Sequence, residues 1–188
     1  VGRGDVYRAR QIGLDREVAL KRLIATNASV RSKLFAESRV NAQLDHPGIV
    51  PVHDLIEGED GEAALVMRLI RGTSWKELLH PKDPSARRDL EFHLGVLDSV
   101  SNAVAFAHDK GLSHNDLKPD NVMVGPFGEV LVMDWGLALD MRDDTSAGPL
   151  GARHKSTLRT PSGTPAYWSP ELACGHGKLI GPSSDVYL

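Results

Sequence analysis

One stretch constrains the fold of this chain more than any other. Residues 113–136 read SHNDLKPDNVMVGPFGEVLVMDWG. One His, two Asp, two Asn and one Lys crowd into a polar run, which passes directly into two short apolar segments, NVMV and EVLVM, separated by the turn GPFG. The apolar segments predict a hairpin. Asp134, just past the second strand, then returns beside Asn121 at the start of the first. Asp116 lies at the preceding turn, with Lys118 two residues on, where an extended backbone points both side chains the same way. Two carboxylates and an amide gathered in this way can hold a hard cation such as Mg²⁺, which takes oxygen ligands and usually shares them with phosphates. A proton acceptor beside a fixed positive charge suits the orientation of a hydroxyl and the stabilisation of charge on a transferred phosphoryl group. A solvated loop of Asp caps and turns would use the same residue types, so composition alone leaves both readings open.

The rest of the chain gives this stretch a setting. DVYRAR and REVALKRL alternate apolar and polar residues around the turn QIGLD, which predicts two strands. SVRSKLFAESRVNAQL carries Val30, Leu34, Val40 and Leu44 at broadly helical spacing. Residues 46–70 predict two more strands around a Gly/Asp turn. From Asp89 to Lys110, Leu90, Leu94, Leu97, Val104 and His108 recur with helical period, and Gly111 supplies a stop signal. Residues 139–165, rich in Gly, Pro, Ser, Thr and charge, predict a long mobile loop. The expectation is an α+β chain of two lobes, a β-rich one with a main helix over 1–70 and a helix-led one over 71–188, joined near Arg68–Gly72.

Composition removes several function classes. A net charge of −3 gives no electrostatic argument for nucleic acid or an acidic membrane surface. Cys174 is the only cysteine, so no intrachain disulfide is possible and a reducing, cytoplasmic interior is the default. The apolar run ALVMRLI is short and carries Arg68, so no membrane segment is expected here. Both ends read as cut, which suggests a piece of a longer protein that could be membrane-anchored elsewhere.

Order settles what composition leaves open. HNDLKPDN is followed by DWG, then GTPAYWSPE and SDVY; VALK stands upstream at 18–21 and GDVY at 4–7. This ordered set resembles the eukaryotic-type (Hanks-type) protein serine/threonine kinases from one end of the chain to the other, and the wording NVMVGPFGEVLVMDWGLA resembles bacterial members. The resemblance implies the two-lobed protein-kinase fold without its later helices, and transfer of the ATP γ-phosphate to Ser or Thr of protein substrates. It implies that Asp116 accepts the hydroxyl proton, Lys118 contacts the transferred phosphate, and Asn121 and Asp134 hold Mg²⁺. Lys21 would meet the α- and β-phosphates, with Glu37 as its ion-pair partner in preference to Asp54 or Glu57. Val6, Ala19 and Met123 would enclose the adenine, Met67 would be the gatekeeper, and backbone groups of Arg68 and Ile70 would bind the adenine edge. Gly2 and Gly4 match the end of a Gly-rich phosphate loop. Asp185 would brace the catalytic turn.

Three departures from the family pattern stand out. Asn115 replaces the Arg that usually receives a phosphorylated activation loop. Trp135 replaces Phe in D-F-G, and Ser169 replaces Ala in A-P-E. None removes a catalytic group, which counts against the alternative of a catalytically weak, kinase-like ATP-binding scaffold. GTPAYWSPE counts against a small-molecule kinase. Thr164 is expected beside Asp116 and Lys118. Ser156, Thr157 and Thr160 lie among Arg153, Lys155 and Arg159, yet activity is expected to depend little on their phosphorylation. A hydrogen bond from the Trp135 indole to the Asn41 side chain is also expected, since both depart from the pattern at positions that should touch.

Overall fold

The computed structural model describes residues 5–23, 28–58, 62–143 and 151–188. Its first part is a four-stranded antiparallel sheet in the order β1-β2-β4-β3, from β1 (Asp5–Gln11), β2 (Arg16–Leu23), β3 (Val52–Glu57) and β4 (Ala63–Arg68). The β1–β2 turn closes with Asp15 at φ 49°, a left-handed position that the short polar side chain of Asp tolerates.

Helix α1 (Ala28–Gln43) packs on two cores at once. Leu34, near its middle, joins Ala63 and Leu65 of β4, with Phe35, Val52 and Leu55 alongside. Burying a leucine this fully stabilises by about 2 kcal/mol. Val40 and Leu44, beyond Leu34, belong instead to the larger core with Ile49, Val132 and Trp135. The side chain of Val30 lies outside the described residues.

Past residues 69–72 the chain turns helical. Gly72 is required there: a Cβ would stand 2.4 Å from the Val124 carbonyl oxygen, so no larger residue lets the link run this close to the hairpin. β5 (Thr73–Ser74) leads into α2 (Trp75–Leu79), whose start is closed by a Ser74/Glu77 capping box. Helix α3 (Leu90–Asp109) begins where the Asp89 carboxylate accepts from the Phe92 amide at 2.9 Å, and Gly111 at φ 79° follows its end.

The helix forms as the periodicity predicts, but its buried face differs. Val96, Val100, Ala103, Val104 and Ala107 face the core, while Leu90, Leu94 and Leu97 are exposed. Small and β-branched residues let the hairpin approach closely, and a period read by hydropathy favours the leucines instead.

The remaining strands are short: β6 (Leu112–Ser113), β7 (Val122–Val124), β8 (Val130–Val132), β9 (Leu139–Asp140) and β10 (Arg153–His154). β7 and β8 form the predicted hairpin, β5 pairs with β7, and β9 lies between β6 and β10. Residues 139–165 are therefore not an uninterrupted loop. β9 and β10 pair in parallel, and turns at 155–157 and 165–167 carry the chain into α4 (Pro170–Ala173) and α5 (Pro182–Tyr187). Residues 144–150 lie outside the described residues.

Candidate active site

The polar turn after β6 is fastened from behind. Asn115 sits at φ 63°, a conformation open to Asn because its short amide can bond locally; here it donates to Ser113 Oγ at 2.8 Å and to the Ser113 carbonyl at 3.2 Å. The two backbone amides exposed by this turn are taken up by Asp185, in the first turn of α5. Its Oδ2 accepts from His114 N and its Oδ1 from Asn115 N, each at 2.8 Å. His108 Nε2, near the end of α3, lies 2.8 Å from the same Oδ2. The Asp185 side chain has no solvent exposure, so these three partners replace its hydration.

Asp116 is held on both carboxylate oxygens. Oδ1 accepts from the Thr164 amide at 3.0 Å and the Thr164 hydroxyl at 2.9 Å. Oδ2 accepts from Lys118 Nζ at 2.8 Å and Asn121 Nδ2 at 3.2 Å. Lys118 Nζ also reaches Thr164 Oγ1 at 2.5 Å, so acid, base and hydroxyl form one closed set, as the sequence led us to expect.

The hairpin sets Asn121 beside Met133, the residue before Asp134. Met133 N donates to the Asn121 carbonyl at 2.9 Å, closing the base of β7–β8. The Asn121 amide nitrogen donates to the Asp116 carbonyl at 2.8 Å, which leaves the amide oxygen for another partner. His114 ties turn to hairpin. Its Nδ1 accepts from Asp116 N at 3.2 Å, so Nε2 carries the hydrogen and donates to the Met133 carbonyl at 3.0 Å. The ring lies 4.6 Å, centre to centre, from Trp135. Asp134 itself is in the left-handed region at φ 61°, with its side chain half exposed.

Across from this cluster, Lys21 Nζ on β2 meets Glu37 Oε1 at 2.6 Å and Oε2 at 2.8 Å, and stands 3.5 Å from Asp134 Oδ1. Glu37 on α1 is thus the partner, and Asp54 bonds the Leu55 amide instead. Burial opposes the charge on Lys21, but the Glu37 and Asp134 carboxylates outweigh it and hold the ammonium above its ordinary value. Burial likewise pushes the Glu37 carboxyl up, against the pull of Lys21. With the two side chains bonded twice at these distances, the ion pair is the form the geometry supports.

The other expected site residues fall as follows. Val6 stands opposite Lys21 in the β1–β2 register and is exposed, while Ala19 is buried opposite Met67 between β2 and β4. Met123 lies on β7 opposite Leu131. The Arg68 amide donates to the Pro51 carbonyl at 3.1 Å, and Ile70 lies two residues past β4. Gly2 and Gly4 lie outside the described residues.

The expected Trp135–Asn41 bond does not form. Asn41 Nδ2 donates back to the Glu37 carbonyl at 2.9 Å, one helical turn earlier, and the buried Trp135 indole nitrogen has no partner among the described residues. Sequence reasoning also gave no role to His108 or His114. The only signal was position, one at the end of a helix and the other at the head of the polar run.

The residues present fit a magnesium–nucleotide site. The groups available are the Asn121 amide oxygen and the Asp134 carboxylate, half exposed and 3.5 Å from Lys21 Nζ. Among the described residues no three His, Cys, Asp or Glu side chains gather as a self-sufficient metal cage. A hard cation here would have to draw its other oxygens from phosphates and water, as Mg²⁺ does.

Comparison with known proteins gives consistent matches. The model of the protein kinase domain matches residues 2–187. The chain is 36% identical over 199 residues to the serine/threonine-protein kinase PknD of Chlamydia trachomatis, covering 93% of this chain and 21% of that protein. PknD of Chlamydia muridarum is 33% identical over 211 residues, 99% of this chain and 22% of its own length. PknD of Chlamydia abortus is 32% identical over 205 residues, with the same coverage. The chain thus spans about a fifth of the length of these curated relatives.

Proposed function

The chain belongs to the protein kinase family, and from that premise we propose that the protein carrying it transfers the γ-phosphate of ATP to serine and threonine hydroxyls of protein substrates. The observation that supports this best is the closed set of Asp116, Lys118 and Thr164, with the Asn121 amide on the same carboxylate.

Asp116 accepts the proton of the incoming hydroxyl, and the ammonium of Lys118 beside it meets the charge on the transferred phosphoryl group. Thr164 fixes the geometry of both, and ties the chain that carries GTPAYWSPE to the catalytic turn; this supports Ser/Thr rather than Tyr as acceptor. The Asn121 amide oxygen and the Asp134 carboxylate would hold Mg²⁺, which when bound neutralises phosphate charge. Lys21, oriented by Glu37, faces the α- and β-phosphates. Val6, Ala19 and Met123 enclose the adenine, Met67 lies behind it, and backbone groups of Arg68 and Ile70 meet its edge. The lobes divide near residue 70. Among the described residues no helix is long and apolar enough to cross a membrane, and we place the domain in the cytoplasm.

The test is Asp116→Asn in the full-length protein. Size is kept and the proton acceptor weakened, so phosphate incorporation should fall by about 10²–10⁴-fold while ATP binding persists. Undiminished turnover overturns the assignment. Phosphopeptide mapping should return phosphoserine and phosphothreonine; a predominance of phosphotyrosine would refute the specificity.

A further inference from the structure

For Thr164 to reach Asp116, the stretch leading to it must be held in place. A phosphate on that stretch would need a fixed cation to receive it. Asn115, buried and bonded to Ser113, offers none from the catalytic turn. Of the three cations nearby, Arg153 is exposed and the other two are already engaged. Lys155 Nζ lies 3.0 Å from Asp143, and Arg159 Nη1 donates to the carbonyls of Ser156 at 2.6 Å and Leu158 at 3.2 Å.

What holds the stretch is apolar. Leu158 is 1% exposed and packs in one cluster with Leu139, which follows the Asp134 turn, and with Leu172 and Ile180; Trp168 lies against them. The backbone beneath it is seated on a glycine turn. A Cβ on Gly177 would stand 2.1 Å from the Lys155 carbonyl oxygen and 3.0 Å from Leu158 Cβ. Gly175, at φ 67°, would place one 2.9 Å from the Arg159 carbonyl oxygen. Further along, Trp168 Nε1 donates to the Ser162 carbonyl at 3.0 Å, and Thr164 follows onto Asp116.

We infer that Leu158, plugged over the Gly175–Gly177 turn, is the positioning residue that locks the activation segment in its working arrangement, in the role that a phosphate–arginine contact fills elsewhere. This rests on the kinase reading above and names the regulation of that site: the segment is set by packing rather than by modification.

The experiment uses full-length protein with three measurements: phosphorylation of a Ser/Thr peptide, ATP affinity, and the rate of trypsin cleavage after Lys155 and Arg159. Leu158→Ala and Gly177→Ala should each lower kcat about tenfold or more, because a smaller fraction of molecules holds the competent arrangement. Both should speed cleavage and leave ATP affinity unchanged, whereas a globally unfolded variant loses ATP affinity as well. Leu158→Met, which keeps volume and apolarity, should restore kcat and protection. Ser156→Ala, Thr157→Ala and Thr160→Ala combined should keep most of the wild-type rate. Unchanged kcat and cleavage in Leu158→Ala, or collapse of activity in the triple variant, overturns the lock. If wild-type protein transfers no phosphate, the kinase reading fails, and the cleavage rates still decide whether Leu158 holds the segment.

Discussion

The catalytic turn and helix α1 both deliver side chains to the neighbourhood of Asp134, and they are held there by different means. The turn is over-determined: two backbone amides and a histidine converge on Asp185, and Asp116 is bonded from four directions. Glu37 on α1 is tied in through one side chain, Lys21. The helix itself is divided between two cores, Leu34 on the sheet and Val40 on the hairpin side, with Leu44 just past its end. The turn resembles a fixed template. The helix carries its carboxylate on one ion pair, and perturbing each should give a different signature.

Asp185→Ala should produce the largest loss of stability. It strands the amides of His114 and Asn115 in a buried place, at about 1–3 kcal/mol each. Urea denaturation of the full-length protein should register at least about 3 kcal/mol; a loss under 1 kcal/mol would mean that the turn is not held from behind. Lys21→Met should separate function from stability. Phosphotransfer should drop by about two orders of magnitude or more if, as proposed, this charge faces the phosphates, while the global unfolding midpoint moves little, because Glu37 can take up a proton once its partner is gone. A large stability loss in this variant would place Lys21 in the scaffold instead.

The two regions should also differ in pH response, with opposite signs. In Lys21→Met, burial and, to a lesser degree, the nearby Asp134 carboxylate act on Glu37 and raise its carboxyl above the unfolded value. The folded state then favours the protonated form, so its contribution is full below the ordinary carboxylate range and lost as pH rises through the raised value. Asp140, beside the turn, is the reverse. Burial would raise it, but the Arg142 guanidinium and amide together hold it below its ordinary value. Its contribution is present above the unfolded value and lost as pH falls through the lowered one. Acid titration of stability should therefore flatten in Asp140→Asn; an unchanged acid limb would remove Asp140 from the account. Trp135→Phe should matter least. Removing an indole N–H that has no partner offsets the lost ring volume, and we expect a net change within about 1 kcal/mol. A loss of 3 kcal/mol or more would mean that the indole nitrogen is satisfied in solution.

The contrast also explains what could be read in advance. The turn and hairpin were legible because dense polarity against short apolar runs leaves few arrangements, and the ordered motifs carried Lys21, Glu37 and Thr164 with them. Asn41 misled because a helical amide has a local option, the carbonyl four residues back, that competes with any tertiary partner. The inner face of α3 misled because Ala103 and Ala107, weak in hydropathy, are wholly buried where the hairpin comes close. β9 and β10 were missed because two-residue strands have no periodicity to detect.

The reach of Asp185 has a consequence for how the molecule is made. The β1-β2-β4-β3 sheet is complete by Arg68, and the hairpin by Val132. The acceptor for the His114 and Asn115 amides is encoded 71 and 70 residues after them. During synthesis from the N-terminus at about 5–20 residues per second, the sheet and its helix can settle several seconds before that carboxylate exists outside the ribosome. The turn is thus the last part of the candidate site to acquire its shape, and a nascent chain halted short of residue 185 would carry the sheet and its helix without the carboxylate that fastens the turn.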